Sequence, residues 1–407
     1  MRVIHKLAVA STLMAALVAV GMGTALADPG TPPPLTTVVG ISCPPVFTGS
    51  PTENTPGSLV HDYNAMDPTV PASCWDDVNP ATGAIGDTIT TKAAGSSDTS
   101  CAFSRPYGVD AEIAALNADR EDGAGGLGQA IPCIDFVIAD RGPNATSFKD
   151  TFVALINYAL TWSYPEVSGQ VSPQPASLTR AQLSSIYSCV DTNWDQVGGT
   201  SAPIVPVLPS VGTGVRDMFL AALGISASSE PCWVNGIAAN GDPIEENTGL
   251  TAGNSDQFDQ ASSVDDIFPY SIGDFIAQGP AVHGTGSAGT PGSATVGGHA
   301  TPLWAHGDLA LGEIADISPV TTNSFGQPVI NPGFPSQLYQ TMYAVVRNGF
   351  TNPTSAANAS LPTTPSYEAS GLSSFFSWIC TTEIADSDIV SYGLIRSGGC
   401  DSISAGD

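Results

Sequence analysis

Along the chain, apolar residues recur in short runs broken by Gly, Pro and polar clusters rather than in long stripes. Thr36–Ile41 (TTVVGI) is a β-branched run stopped by Cys43-Pro44-Pro45 and predicts a first strand. Thr48–Ser100 shows little periodicity and predicts loop with short strands and at most a weak helix. After Cys101 elements alternate. Asp110–Asp119 has Ile113 and Leu116 on one face behind an acidic cap and predicts a helix. Cys133–Ala139 (CIDFVIA) predicts a buried strand ending at Asp140-Arg141-Gly142-Pro143. Phe152–Trp162 is apolar throughout, so periodicity leaves strand and helix open. Thr179 caps a helix running to about Tyr187, and Ile204–Leu208 predicts a strand followed by a helix from about Val215 to Leu223. Gly279–Gly298 is a flexible Gly/Ala/Ser/Thr/Pro segment, Gln337–Asn348 a strand or helix, and Ser370–Glu383 a terminal helix. Strands alternating with helices imply an α/β protein with a mainly parallel sheet.

The amino terminus changes the picture. Arg2 and Lys6, an apolar stretch from Leu7 to about Met22 and the small-residue end Thr24-Ala25-Leu26-Ala27 form a secretory signal at residues 1–27, cut after Ala27; an uncleaved anchor is the alternative. Asp28, not Cys, follows the cut, so lipid attachment through a thioether is unavailable there. The remaining chain of about 380 residues exceeds what one core usually serves and implies two lobes.

The sequence holds 11 Lys+Arg against 38 Asp+Glu; without Arg2 and Lys6 the formal charge is −29. Such a surface repels nucleic acid and anionic lipid, yet backbone N–H groups and one or two Arg can still hold a small anion locally. The eight cysteines all follow the signal and read as disulfides of an oxidising compartment. Nearness along the chain suggests Cys380–Cys400, Cys74–Cys101 and Cys189–Cys232, leaving Cys43 and Cys133 as a pair or as free thiols.

Three loops carry both Gly and Arg: Arg105–Asp110 (RPYGVD), Ala139–Pro143 (ADRGP) and Pro209–Asp217 (PSVGTGVRD). In Thr213-Gly214-Val215-Arg216 a hydroxyl and successive N–H groups stand at a helix start, where an oxyanion is stabilised. The alternative is that the three Arg pair with surface carboxylates. His283, His299 and His306 have no metal-site spacing, and neither a Gly-x-Ser-x-Gly elbow nor a Walker loop occurs. Trp162, Trp194, Trp233 and Trp378 are read as core residues.

The ordered segments ASLTRAQLSSIYSCVDTNWDQVGG (176–199), APIVPVLPSVGTGVRDMFL (202–220), IEEN (244–247) and PYSIGDFIAQ (269–278) resemble the phosphate-binding component of ABC phosphate transporters, in its divergent secreted actinobacterial form. The resemblance implies an α/β fold of the periplasmic-binding-protein type II: two α/β lobes with mixed sheets and a ligand cleft between them. Lobe one would comprise 28–155 and 275–407, lobe two 156–274, with Phe152–Trp162 and Pro269–Ile276 as crossing segments, which favours strand for the first. The implied function is extracytoplasmic capture of a small oxyanion, phosphate first, by a monomer without cofactor or catalysis, delivering to an ABC transporter permease. Carried over by position, Thr213, Gly214, Val215 and Arg216 form the anion loop, Asp140 accepts from a protonated phosphate with Arg141 beside it, Gly108 and Asp110 belong to the middle loop, and Ser42 to the first. Pro44, Pro45, Val109, Asp110 and Val215 depart from the family pattern, which keeps two other readings open: a relative that retained the fold and lost its ligand, and a secreted phosphoester hydrolase.

Overall fold

The computed structural model describes residues 37–44, 47–48, 51, 58–77, 79, 85–92, 101–121, 132–143, 150–166, 171–226, 231–236, 263–278, 294–296, 299–301, 309–347, 366–382, 385, 389–390, 392–400 and 403–405. The expected signal, the first proline turn beyond Pro44, and His283 and His306 lie outside them, as does the glycine-rich 279–298 segment except for one short strand.

The chain opens with β1 (Val38–Ile41), a short α1 (Leu59–Asn64) capped by the Ser58 hydroxyl, and β2 (Ala72–Cys74). A hairpin, β3 (Thr88–Thr90) and β4 (Ala102–Ser104), precedes α2 (Val109–Glu121). Asp110 thus lies inside the first helical turn rather than capping it from outside. Then come β5 (Phe136–Ala139) and the long β6 (Thr151–Pro165). β7 (Ser177–Leu178) leads into α3 (Arg180–Tyr187), where Thr179 and Gln182 close a reciprocal capping box. β8 (Val205–Leu208), α4 (Gly214–Leu223) and β9 (Val234–Asn235) follow, then β10 (Asp266–Ser271) and α5 (Ile272–Gln278). Pro269–Ile276 is therefore divided between a strand end and a helix. The remainder comprises the hairpin β11 (Ala294–Val296) and β12 (His299–Thr301), β13 (Leu309–Leu311), β14 (Glu313–Ile314), the hairpin β15 (Val320–Thr322) and β16 (Pro328–Ile330), β17 (Tyr339–Val346), α6 (Ser366–Thr381), β18 (Ile395–Arg396) and β19 (Ile403–Ala405).

The main sheet runs β2-β1-β5-β17-β6-β10-β8-β9. β1 pairs in parallel with β2 and β5, and β8 in parallel with β9 and β10. Each half is thus a parallel trio in the order second-first-third, flanked by an antiparallel strand. β6 joins them: Thr151–Ala159 pairs with β17, and Leu160–Ser163 with β10, both antiparallel. Fifteen extended residues reach about 50 Å, so one strand serves both halves. This is the mixed α/β architecture expected from the sequence.

Alternate residues of the parallel strands feed opposite faces. Val38, Phe136 and Ile138 join α1 and α6 in one core, while Val39, Val137 and Ala139 pack with Ile113 and Leu116 of α2 in another. Burial on both faces explains why these strands read as continuous apolar runs. Trp162, Trp194, Trp233 and Trp378 are all buried, as expected. One ion pair, Lys92–Asp135 at 2.6 Å, is fully buried, and Asp135 also accepts from the Val39 amide at 2.7 Å.

All eight cysteines are paired. Cys189–Cys232 and Cys380–Cys400 are as expected, but Cys43–Cys74 and Cys101–Cys133 replace the expected Cys74–Cys101. Strand pairing, not nearness along the chain, decides this. Gly40 on β1 lies opposite Cys74 on β2, and the Cys43 amide donates to the Trp75 carbonyl at 2.9 Å, so two parallel strand ends bring their sulfurs together. The four bridges fit an oxidising compartment. Among the described residues, no helix is long and apolar enough to cross a membrane.

Candidate functional site

Several sequence candidates follow the carboxyl ends of parallel strands: Ser42 after β1, Asp140 after β5, and the 209–214 loop after β8. Ligands of open α/β sheets gather at such ends. The 209–214 loop is braced locally: Ser210 Oγ donates to the Gly236 carbonyl at 2.7 Å, and Thr213 Oγ1 to the Ser210 carbonyl at 2.9 Å. Gly212 holds φ +96°, turning the chain into α4. Thr213 is the N-cap of α4 yet makes no side-chain capping bond, so the first-turn amides stay open to a ligand from elsewhere.

The Asp140 carboxylate comes from the other half of the sheet to meet them. Its Oδ2 accepts from the Val215 amide at 2.8 Å, while Oδ1 is buried without a partner. Gly214 is required here, since a Cβ at that position would overlap the Asp140 carboxylate. Burial pushes the Asp140 carboxyl up to about 6; Asp77 adds to the rise, while the Val215 N–H and Arg141 oppose it.

An acid whose proton is held more tightly in the folded state adds stability at low pH and loses it as pH rises through the folded value. This group's contribution is therefore full below about pH 4 and gone above about pH 6, amounting to ~3 kcal/mol. Asp140→Asn keeps an oxygen for the Val215 amide and abolishes the titration. Urea unfolding at pH 4 and pH 7 is expected to show a smaller loss of stability for this variant than for the wild type; equal losses would show that Asp140 is not the buried acid described.

Arg216, one residue on, is 1% exposed. Nη1 donates to the Pro209 carbonyl at 2.9 Å, and Nη2 is buried without a partner. Its guanidinium stands 5.4 Å from the ring centroid of Trp233, whose indole N–H is fixed on the Tyr187 carbonyl at 2.8 Å. Among the described residues no carboxylate pairs with it. The uncompensated burial lowers its pKa, Asp217 opposing.

On the facing side, Gly108 at φ +84° precedes α2, and a Cβ there would stand 3.6 Å from the Gly212 carbonyl oxygen. The loops at 108, 140 and 212–216 therefore converge. The other candidates are used differently. Arg105 is structural, with Nε on Asp87 and Nη1 on the Asp76 carbonyl, both at 2.6 Å. Arg141 pairs with Asp110, which is exposed. Ser42 sits at φ 60°, half-buried at the end of β1. Sequence reasoning missed Trp233, Asp77 and Glu112; a buried Glu112 in the first turn of α2 had no signal to distinguish it from an ordinary surface acid at a helix start. No group of residues able to hold a metal ion occurs among the described residues.

No family model matches the chain, and no curated protein matches it. Solved structures do. A putative phosphate ABC transporter substrate-binding protein with bound phosphate from Clostridium perfringens is 14% identical, with 89% of this chain and 99% of that chain covered and a TM-score of 0.45. An ABC-type phosphate transport receptor from Vibrio cholerae is 15% identical over 83% of this chain and 93% of that one, at 0.40. A phosphate-binding protein from Stenotrophomonas maltophilia is 12% identical over 89% and 91%, at 0.43. At these values the strand order and the site geometry carry the argument.

Proposed function

We propose that the chain is an extracytoplasmic solute-binding protein that captures a small oxyanion, phosphate in the first place, at the amino end of α4. One observation carries the reading: a buried helix start already holds an oxyanion, the protein's own Asp140 carboxylate, and the residue after Val215 is a buried Arg with a spare donor and no carboxylate partner. A helix amino terminus with an Arg is a ready anion site. A protein that kept such a charge desolvated without a ligand would bear a cost of several kcal/mol for nothing.

In this reading lobe one is 28–155 with 275–407 and lobe two is 156–274, β6 is the shared strand, and the solute closes the two onto each other. Residues 1–27 are the cleaved export signal, an ABC transporter permease is the partner, and there is no catalysis. Asp140, now bonded to Val215, moves to accept from a proton on the solute. Selection against fully ionised anions follows, because an acceptor facing an acceptor loses a bond and adds repulsion.

A second reading, a relative that no longer binds, is favoured by the first loop: the Cys43 amide is spent on Trp75, and Pro44 has no N–H. Thermal unfolding of residues 28–407 with a panel of phosphate, phosphonates, sulfate and small carboxylates decides between them. The binding reading expects a rise in Tm for phosphate or a phosphonate. No shift with any member would favour the second reading.

A further inference from the structure

We propose that Glu112 is a further solute-binding residue of the cleft: an uncharged carboxyl group that donates a hydrogen bond to a proton-free oxygen of the bound oxyanion. The inference rests on the function proposed above and extends it. With Asp140 as acceptor and Glu112 as donor, the cleft would take an oxyanion that carries both protonated and proton-free oxygens.

The geometry comes first. Glu112 lies in the first turn of α2, its amide donating to the Gly108 carbonyl at 3.2 Å, and Gly108 is the residue that meets Gly212 across the junction. Its neighbours Asp110 and Ala111 face solvent, whereas Glu112 is 0% exposed. Both carboxyl oxygens are buried and neither has a hydrogen-bond partner of good geometry. An acid in a first helical turn ordinarily complements the helix dipole from the surface; this one is turned inward.

The charge state follows from the surroundings. The groups facing Glu112 are Asp77 from the segment after β2, Asp140 after β5, and the Ser42 hydroxyl after β1. Among the described residues no cation pairs with Glu112: Arg141 pairs with Asp110, Arg105 with Asp87, and the Arg216 guanidinium lies on Pro209 and Trp233. An ionised carboxylate so placed lacks any cation of its own and faces two further acids, which is costly. Burial raises its pKa well above the ordinary range, Asp77 and Asp140 adding to the rise while Ser42 and the Gly108 backbone oppose it. A neutral carboxyl group, in turn, has an O–H to donate, and an oxyanion held by α4 would be a stronger acceptor than the neutral Ser42 hydroxyl that faces it.

Two variants and two measurements test this. Phosphate is titrated calorimetrically into the wild type, Glu112→Gln and Glu112→Ala from about pH 5 to about pH 8.5, so that any loss of the Glu112 proton as pH rises is read against variants that cannot lose it. Comparison at equal pH cancels the titration of phosphate itself. Glu112→Gln retains a donor and is expected to bind within about threefold of the wild type, without the wild type's extra weakening at high pH. Glu112→Ala is expected to lose about 10- to 100-fold. Infrared spectroscopy of the ligand-free wild type should show a protonated-carboxyl band at neutral pH that is missing in Glu112→Gln.

Wild-type affinity in Glu112→Ala would overturn the proposal, as would a Gln variant as weak as the Ala variant, or the absence of the infrared band. If the wild type itself binds no oxyanion, the functional reading fails and this inference with it. A wild type that binds while Glu112→Ala binds equally well sinks the Glu112 role alone.

Discussion

Replacing Arg216 by Met is expected to stabilise the ligand-free protein and, at the same time, to lower its affinity for phosphate by on the order of a hundredfold. The two effects have one origin. Nη2 has no partner, no carboxylate forms an ion pair with the group among the described residues although Asp217 acts on it from a distance, and the Pro209 carbonyl and the Trp233 ring are its contacts. A Met of similar reach keeps the contact with Trp233 and removes the desolvated charge, for a gain of about 1–3 kcal/mol at neutral pH. The bound oxyanion then loses a charge-assisted bond from a dry site, the kind of loss that costs most. Urea unfolding and calorimetric titration on the same preparation separate the outcomes. A variant that unfolds more easily yet binds normally would make Arg216 a structural residue that holds the 209–214 loop.

Gly312→Ala is expected to lower stability by about 3 kcal/mol, the largest effect anticipated for a single added methyl group. Gly312 crosses β6 directly over Trp162, and a Cβ there would fall within the indole ring. The backbone is fixed in that position: the Gly312 amide donates to the Trp162 carbonyl at 2.8 Å, Thr161 Oγ1 donates to the Gly312 carbonyl at 2.8 Å, and the Trp162 indole N–H donates to the Glu313 carbonyl at 2.9 Å. Trp162 is fully buried beside Trp194, ring centroids 6.4 Å apart, so it has no room to yield. A lower urea midpoint at unchanged m-value would confirm the clash. A loss under about 1 kcal/mol would mean that the segment from 309 to 314 does not lie on Trp162 as described.

The strand ends and helix starts were legible where local chemistry decides them. Thr179 marks the start of α3 because its side chain completes a local cap, and β1, β5 and β8 stand out as apolar runs ended by Pro, Asp or Gly. Elements decided by distant partners were not legible. Thr151–Pro165 is covered on both faces, so its residues show no period; the family resemblance favoured strand, and pairing with β17 and β10 is what makes it one. The same holds for the cysteines: β1 lying beside β2 gives Cys74 a partner 31 residues back.

For the site, the Gly-containing loops were visible, but the role of each Arg depends on what reaches it. Arg105 is claimed by Asp87 from a hairpin whose pairing has no sequence mark, Arg141 by Asp110, and Arg216 keeps a buried Nη2 without a partner. Asp140 was a candidate acceptor, yet its bond to Val215 arises from the approach of two halves joined by β6.

Oxyanion capture at the amino end of α4 is open to calorimetric titration of residues 28–407, stripped of ligand by unfolding and refolding with the disulfides intact. Phosphate is the probe and sulfate the control. Saturable heat with one site for phosphate and none for sulfate is the predicted result; heat with neither anion would contradict it.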